Sequence, residues 1–302
     1  MSDSRLKIDG VVLLNKPVGL TSNAALQRVK RLFLAAKAGH TGTLDPFASG
    51  LLPICFGQAT KFSRYALHGE KAYRAVLKLG TTTTTGDPEG EIVEIRPVDV
   101  SAESVNQLLP RFTGTIQQVP PMYSALKLRG KPLYEYARAG ITVAREPRTV
   151  QIFQLDMESL HDGQLSIIVH CSAGTYIRTL AEDIGHALGC GAHLILLERT
   201  ASGTFSINQS IHLETLEGMG GSARIERLLA PDALVAQLPR INVDPETAEK
   251  LMQGKQVNKP LECRATGPMR VYASRGFLGL VQAGETLTPI RLMATNNASP
   301  PA

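Results

Sequence analysis

The sequence has little aromatic character: its 302 residues include no tryptophan, seven tyrosines and eight phenylalanines. A surface that binds through stacked aromatic rings therefore has few residues to use, and each tyrosine has to be considered singly. Cysteine is also scarce, and no C-x-x-C pair occurs among Cys55, Cys171, Cys190 and Cys263. This wide spacing argues against a zinc site and against a disulfide framework, and it indicates a reducing compartment.

Long hydrophobic runs are missing as well. The sequence contains no run of about eighteen apolar residues, the length that a membrane-spanning helix needs. The N-terminus, MSDSRLKIDG, lacks the charged and then apolar pattern of a secretory signal. We therefore expect a soluble, cytoplasmic protein. Hydrophobic residues make up 43% of the chain, enough for a core, and the length favours two domains or one large domain with an appendage.

Acidic residues are absent from a long stretch near the start. Residues 10–44 contain five basic residues and no acidic ones. A second segment, residues 127–148, has six basic residues against two acidic ones. We call it the basic segment; its cations are Lys127, Arg129, Lys131, Arg138, Arg145 and Arg148. Because the net charge of the whole chain is only +5, the remainder is acidic, which is typical of one basic face that binds phosphates. Two ordinary solvated faces would give the same charges.

Periodicity and turn residues predict the following elements. We expect a strand over residues 11–14 ended by a turn at 15–17, a helix capped by Thr21 or Ser22, a strand over 71–80, a hairpin over 81–94, a helix over 101–112, a short helix ended by Gly140, a strand over 165–171 and a helix from about residue 175. After residue 238 a capped helix and three short strands predict a small β-rich domain. We place domains at 1–238 and 239–294, with a disordered tail at 295–302.

The stretch GHTGTLDPFASGLLP, residues 39–53, holds a carboxylate under strong backbone restriction. Asp45 precedes Pro46, which forces it into an extended conformation. Gly42 and Gly50 permit positive φ and close backbone approach on either side. A single Asp-Pro pair is more often a simple turn, so the loop by itself predicts only a rigidly presented carboxylate.

Several other chemistries fail on spacing. No G-K-[ST] follows the glycines as in a P-loop, and neither H-E-x-x-H nor G-x-S-x-G occurs. His40 and Asp45 could both bind a metal, but no further ligands stand at suitable spacing, so a metal-dependent hydrolase is disfavoured. From the residues alone we infer a fixed carboxylate near a basic surface.

The segment KAGHTGTLDPFASGLLPICFGQATK, residues 37–61, resembles the catalytic-aspartate motif of the tRNA pseudouridine-55 synthases of the TruB family. Further similar segments follow in the family's order: LLNKPVGLTS, YRAVLKLGTTTTTGDPEGEI, PPMYSALKLRGKPLYEYARAG, CSAGTYIRTLAEDIG and HLILLERTASGTF. Together they cover most of residues 10–205, and the long motif is specific. Residues 239–294 resemble, more weakly, a PUA-type RNA-binding domain, and the arrangement is similar to the bacterial form.

The resemblance implies an α+β fold: a central mixed, largely antiparallel sheet flanked by helices and crossed by an active-site cleft, plus a small PUA-like β domain. It implies isomerisation of uridine 55 in the T loop of tRNA by a monomer, through base flipping and a catalytic aspartate, with no cofactor and no metal. A tRNA folding chaperone with secondary or lost catalysis is the alternative from a different class.

Site residues follow from the same resemblance. Asp45 matches the catalytic aspartate, Arg178 the arginine that pairs with it, and Tyr73 the tyrosine that stacks on uracil and is the candidate proton acceptor. Tyr176 and Leu197 match positions lining the base pocket. The remaining matches are His40, which fills space vacated in the T loop, and Lys16, which is structural or contacts phosphate. The basic segment corresponds to an insertion that closes over RNA, and Thr43 stands where many members have alanine.

Overall fold

The computed structural model describes residues 5–274 and 276–294, so the predicted disordered tail lies outside the described residues. The first part of the chain contains β1 (Gly10–Lys16), α1 (Ser22–Leu32), β2 (Ala38–His40), β3 (Ser49–Phe56), α2 (Ser63–Leu67), β4 (Lys71–Leu79), β5 (Thr81–Thr83) and β6 (Ile92–Ile95). It continues with α3 (Ala102–Leu108), β7 (Gly114–Gln118), β8 (Lys127–Leu128), β9 (Lys131–Pro132), α4 (Leu133–Arg138), β10 (Arg148–His161), β11 (Gln164–Cys171), α5 (Ile177–Ala187), β12 (Ala192–Ser202) and β13 (Phe205–Ser206).

The last part contains β14 (Ile211–His212), α6 (Leu213–Gly218), α7 (Gly221–Ile225), β15 (Arg240–Asn242), α8 (Pro245–Met252), β16 (Val257–Asn258), β17 (Gly267–Ala273), β18 (Gly276–Ala283) and β19 (Thr286–Leu292). Short 3₁₀ helices follow β3, α3 and β13 and precede β15: Gly57–Lys61, Leu109–Phe112, Ile207–Gln209 and Pro231–Val235. Within the described residues, no helix combines the length and apolar character needed to cross a bilayer.

A ten-stranded sheet runs through the larger part of the molecule in the order β14-β1-β3-β12-β4-β11-β10-β7, with β2 added to β3 and β13 to β12. Only β1–β14 and β3–β12 pair in parallel among its described pairs. The predicted α+β class with a mixed, largely antiparallel sheet is confirmed. Parallel pairing of β3 with β12 places Arg199 beside Gly50, although the two strands are distant in the sequence.

Strand β1 is buried on both faces. Val12 and Leu14 pack into the main core, whereas Val11 and Leu13 pack into a second cluster on the opposite face. A continuous apolar run rather than an alternating one follows from this double burial. The predicted turn at 15–17 was wrong by two residues, because β1 continues to Lys16 in register with Gly50 of β3 and the turn begins at Pro17.

The other predicted elements lie near their expected positions. On β4, Tyr73, Ala75 and Leu77 point to the buried face, as their alternation predicts. Helix α1 is capped by the Thr21 hydroxyl, which accepts a hydrogen bond from Ala24 N at 3.0 Å. Helix α5 begins at Ile177, close to the expected start. These agreements follow from strong local signals, periodicity and capping, that tertiary contacts did not override.

The C-terminal part forms its own five-stranded sheet, ordered β15-β17-β18-β19-β16, with helix α8 packed beside it and a separate apolar core. Three of these strands were predicted, whereas β15 and β16 are two or three residues long and gave no sequence signal. The sheet contacts the larger part through the second cluster of β1: Phe277 lies 5.3 Å from Phe62 between ring centroids, and Leu280 is fully buried there.

Candidate active site

The loop between β2 and β3 presents Asp45 from a framework of backbone bonds. Ser22, at the start of α1, donates its hydroxyl to Leu44 O at 2.9 Å and accepts from Leu44 N at 2.7 Å. Gly19 N donates to Pro46 O at 2.8 Å, and Ala48 N donates to Asp45 O at 3.1 Å. The backbone around Asp45 is therefore fixed both by a bond within the loop and by Gly19 and Ser22 between β1 and α1.

Asp45 forms an ion pair with Arg178, the second residue of α5. Arg178 Nε lies 3.1 Å from Asp45 Oδ2, and the two side chains are 5% and 36% exposed. An arginine met alone in a sequence is usually a surface residue, but this one is buried. Because a guanidinium cannot lose its proton in a protein, Arg178 supplies a permanent positive charge beside the carboxylate.

A turn from the β5–β6 hairpin completes the surroundings of Arg178. Its Nη1 lies 3.2 Å from Asp87 Oδ2 and donates to Thr85 O at 3.1 Å, while Nη2 donates to Tyr123 O. Asp87 is 2% exposed. The guanidinium thus bridges the buried Asp87 carboxylate and the half-exposed Asp45, and its contacts with Asp87, Thr85 and Tyr123 fix its orientation.

Opposing effects set the protonation of Asp45. Burial raises the pKa of this carboxyl, the Arg178 charge lowers it, the Asp87 charge raises it and Lys16 lowers it, with a net rise from the ordinary 3.8. A raised pKa makes the carboxylate more basic and more nucleophilic than a solvated one, while Arg178 keeps the charged form accessible.

Two cavities meet at the Asp45–Arg178 pair. The inner cavity, of about 450 Å³, is lined by Tyr73, Tyr176, Leu197, Lys71 and Arg199 together with the pair. The outer cavity, of about 480 Å³, is lined by His40, Asn23, Tyr134 and Arg138. Thr43, Leu44, Asp45, Ser124, Ala125 and Arg178 belong to both. The Asp45 carboxylate therefore lies on the wall that the two cavities share.

The inner cavity has the walls of a site for a flat ring. Tyr73 and Leu197 are 9% and 7% exposed and lie on neighbouring strands β4 and β12. Burial raises the pKa of the Tyr73 phenol and that of Tyr176. Tyr176 caps α5, and its backbone N–H donates to Gln118 Oε1 at 3.0 Å. Apolar and aromatic side chains thus line the cavity together with a few charged groups, the composition that binding pockets usually have.

His40 ends β2 in the outer cavity. Burial lowers the pKa of its imidazole, and the Arg199 charge lowers it further, so the ring is neutral at neutral pH. Its Nδ1 is buried and has no hydrogen-bond partner among the described residues. A neutral ring suits contact with a nucleic-acid base better than contact with phosphate.

Lys16 does not lie where it could contact a phosphate. The side chain is fully buried, and its ammonium donates to Pro17 O at 2.8 Å and Leu20 O at 2.7 Å. Burial lowers the pKa of this lysine to about 8, against the opposing Asp45 charge. Of the two predicted roles, phosphate contact does not fit this geometry, because the ammonium has no open face. The position supports a structural role with a long-range effect on Asp45.

The cations of the basic segment lie in different surroundings. Lys127, Arg129 and Lys131 are exposed on the β8–β9 hairpin and line neither cavity. Arg138, on α4, reaches the outer cavity and stacks on Tyr134 with 5.4 Å from Cζ to the ring centroid.

The last two cations of the segment lie nearer its end. Arg145 Nη1 donates to Pro120 O at 2.9 Å, so part of this guanidinium holds the segment in place. Arg148 begins β10 and is exposed, and its charge lowers the pKa of Tyr176.

Sequence reasoning missed two buried residues of the site. Asp87 precedes Pro88 between glycines in the same way that Asp45 precedes Pro46, and this parallel was a usable signal. Arg199 stands at an inward position of β12, two residues after Leu197, where alternation would place an apolar side chain. A charge at an inward strand position is itself a signal of function or of buried pairing.

No group of three or more His, Cys, Asp or Glu side chains is placed to hold a metal ion within the part of the chain that the structure describes. His40, Asp45, Asp87 and Glu89 line the outer cavity, but they do not form such a group.

Comparison with known proteins assigns the class of this fold and site. Residues 30–177 match the N-terminal domain of TruB family pseudouridylate synthases, 178–231 the tRNA pseudouridylate synthase B C-terminal domain, and 239–293 the C-terminal domain of pseudouridine synthase II TruB. A Thiobacillus denitrificans protein named tRNA pseudouridine synthase B is 54% identical over 99% of this chain and 100% of its own length. One of the same name from Dechloromonas aromatica is 52% identical over 95% and 96%. The chain belongs to the TruB family of pseudouridylate synthases.

Solved structures agree on the fold. A chain from a Cbf5-Nop10-Gar1 complex superimposes with a TM-score of 0.72 at 25% identity, covering 94% of this chain and 84% of that one. A chain from an H/ACA RNP bound to a substrate RNA containing 2'-deoxyuridine gives a TM-score of 0.72 at 23% identity over 95% and 86%. The similarity spans both the large sheet and the C-terminal part.

Proposed function

We propose that this chain isomerises uridine to pseudouridine at position 55 in the T loop of tRNA. The observation that carries the proposal is the Asp45–Arg178 ion pair on the wall shared by the two cavities. The family and the names of relatives at about half identity over nearly the whole chain support the same reaction on tRNA.

The reaction moves one bond and conserves all atoms. The N1–C1′ bond of uridine breaks, a C5–C1′ bond forms, the C5 hydrogen leaves as a proton, and N1 gains a proton. Asp45 acts by attack on the base, by attack on C1′ or by assisting elimination, and its ionised form serves in each case. Tyr73, across the inner cavity, is the candidate acceptor of the C5 proton.

Base flipping explains why the site is divided into two cavities. A uridine stacked in an RNA loop cannot reach a buried carboxylate, so the nucleotide has to leave its stack. Tyr73, Tyr176 and Leu197 offer the apolar walls that offset part of the unstacking cost, about a few kcal/mol. His40, in the outer cavity, then fills space that the base vacates, and Arg138 stands beside the groove.

The basic segment and the C-terminal sheet extend the binding surface. Exposed cations on β8–β9 suit the phosphates of a folded loop, which proteins read by shape, stacking and backbone contacts. We propose domains at 1–238 and 239–294, supported by the separate sheet and core of the second part, with the second acting as a PUA-like RNA-binding domain. We further propose a monomer that acts in the cytoplasm, where tRNA is matured.

The test is conversion of an unmodified tRNA transcript, followed by digestion and chromatographic detection of pseudouridine. Wild type is expected to form one pseudouridine per tRNA, and none when uridine 55 is replaced by cytidine. Asp45→Asn is expected to bind tRNA and form none. Binding by wild type without any conversion would contradict the proposal and favour the tRNA chaperone instead. Conversion at other uridines would contradict the assigned position.

A further inference from the structure

Arg199 is a buried cation at the centre of the molecule. Its side chain is 1% exposed on β12, and its Cα lies opposite that of Tyr73 on β4 in antiparallel register. No ion pair to Arg199 is found among the described residues. A buried charge without a carboxylate is costly unless its hydrogen bonds are satisfied, so its partners indicate what it is for.

Those partners link three parts of the site. Arg199 Nε donates to Leu51 O on β3 at 2.7 Å, and Nη2 donates to Gly42 O in the Asp45 loop at 3.1 Å. Arg199 also lies opposite Tyr73 across β12 and β4, and both residues line the inner cavity. Because a guanidinium only donates, a hydrogen bond between the two side chains would make the Tyr73 oxygen the acceptor. The phenol proton of Tyr73 would then point away from Arg199.

Two glycines, Gly42 in the Asp45 loop and Gly50 near the start of β3, lie against Arg199. Gly50 has φ +101°, and a Cβ there would lie 2.6 Å from Arg199 N and closer still to Arg199 O. Gly42 has φ +111°, and its Cβ would lie 3.4 Å from Arg199 Nη1. The backbone that presents Asp45 therefore wraps directly around Arg199.

We propose that Arg199 is a positioning residue that ties Tyr73 to the Asp45 loop and holds the Tyr73 oxygen as a hydrogen-bond acceptor facing the inner cavity. This inference rests on the proposed function, in which Tyr73 takes the C5 proton. Without Arg199 the loop and the Tyr73 phenol are no longer held in place, so the rate of the chemical step falls. The outer surface that contacts tRNA is unchanged.

Electrostatics act in the same direction. Burial raises the pKa of the Tyr73 phenol, and the nearby Arg199 charge lowers it. The other titratable or charged groups around the pair are Cys171 on β11, Asp45 in its loop, Lys71 on β4 and His40 on β2. Of these, Cys171 and Asp45 raise the pKa of Tyr73, so Arg199 is the cation that favours its ionised form.

The first test separates chemistry from binding. Arg199→Gln is expected to lower the single-turnover rate by roughly 10²-fold, while the dissociation constant for tRNA stays within about threefold. In the Tyr73→Phe background the same substitution is expected to add little, since both changes remove one interaction. Arg199→Lys, which keeps the charge, should restore part of the rate.

Arg224→Gln is the matched control. Arg224 also donates to three backbone carbonyls, those of Leu32, Leu216 and Glu217, but away from the cavities. This substitution should lower stability without lowering the rate of the folded protein. Equal decreases in rate for the two glutamine variants, or effects of the Arg199 and Tyr73 substitutions that simply multiply, would overturn the proposal.

The second test needs no activity. In protein labelled with 3-fluorotyrosine, the ¹⁹F signal of Tyr73 is assigned by its disappearance in Tyr73→Phe. Arg199→Gln, or Arg199→Lys if the first does not fold, is expected to shift that signal and move its titration to higher pH. An unchanged signal and titration would overturn the proposal. If wild type forms no pseudouridine, the proposed function fails, whereas this measurement still reports on the hydrogen bond between Arg199 and Tyr73.

Discussion

At the scale of the residue, Asp45 shows how a half-buried carboxylate can be both basic and charged. Burial raises its pKa, and Arg178, held from behind by Asp87, opposes that rise. Because Arg178 is oriented by the protein's own Asp87, Thr85 and Tyr123, the ion pair is in place before any substrate binds. Such preorganisation is what makes electrostatic effects large at an active site.

The pH dependence of the reaction follows from this balance. The rate should fall as the pH drops through the pKa of Asp45, since only the ionised carboxylate serves. With that pKa raised from the ordinary 3.8, the acid limb should lie at higher pH than for a solvated aspartate. Arg178→Lys replaces the planar guanidinium by an ammonium, and it should move the acid limb to still higher pH.

Single-turnover rates across the acid range check this prediction, with Arg74→Lys as the control. Arg74 follows Tyr73 on β4 but is exposed and pairs with Glu158 at 2.7 Å. The control should keep the wild-type profile. An acid limb at or below pH 3.8, or one that Arg178→Lys leaves in place, would contradict the account of Asp45.

At the scale of the element, the Asp45 loop depends on close contact between β3 and β12. Arg199 pairs with Gly50 in parallel register, and no side chain fits between them. The position that presents the carboxylate is thus fixed by a strand about 150 residues further along the chain, which makes the loop sensitive to a single added methyl group.

Gly50→Ala should therefore destabilise the protein by more than about 1 kcal/mol, because the new Cβ meets backbone atoms and the φ is unfavourable for alanine. Gly254→Ala is the control: its φ is +80°, yet nothing lies within 4 Å of an added Cβ. This control measures only the cost of placing alanine at a positive φ. Urea unfolding of both variants measures the difference, and equal decreases in the free energy of unfolding would contradict the packing account.

The basic segment is a second element whose role can be tested. Neutralising Lys127, Arg129 and Lys131 together should weaken tRNA binding and flatten its dependence on salt, by up to about 0.7–0.9 in log–log slope for each phosphate that is no longer neutralised. The control triple neutralises Arg74, Arg96 and Arg111, which lie outside the segment. Binding titrations at several salt concentrations decide the matter. Unchanged affinity and slope in the first triple would contradict the RNA-binding assignment.

Elements and site residues were predictable from the sequence to different degrees. The Tyr73 face of β4 and the cap of α1 follow from local spacing, and they were predicted. The burial of Arg178 was not, because it depends on Asp87 from a hairpin more than ninety residues earlier. Arg199 was missed for the same reason: its partners, Leu51 O and Gly42 O, belong to a distant strand and loop. Strand β15 is too short to carry any pattern.

At the scale of the whole molecule, the C-terminal sheet is packed onto the larger part. Besides the Phe62–Phe277 contact, Lys61 Nζ donates to Leu292 O at 2.9 Å, and the Tyr272 hydroxyl donates to Asp232 Oδ2 at 2.5 Å. Buried Leu280 shares a cluster with β1. Because the two parts share an apolar cluster, we expect them to unfold together.

Calorimetry should accordingly show one unfolding transition in wild type. Phe277→Ala is expected to lower the free energy of unfolding by about 2 kcal/mol, since a half-buried ring leaves the shared cluster. Phe153→Ala, at an exposed ring on β10, should cost less than about 1 kcal/mol. Two separate transitions in wild type, or equal effects of the two substitutions, would contradict a shared core.

The central claim is that Asp45, paired with Arg178, drives rejoining of the base through C5. The most direct measurement is tritium release from tRNA transcript labelled at uridine C5, since the new bond has to expel that hydrogen. Wild type should release the label of one uridine per tRNA, and Asp45→Asn, folded and binding tRNA, should be slower by about 10⁴-fold or more. No release by wild type, or equal release by both proteins, would contradict the account.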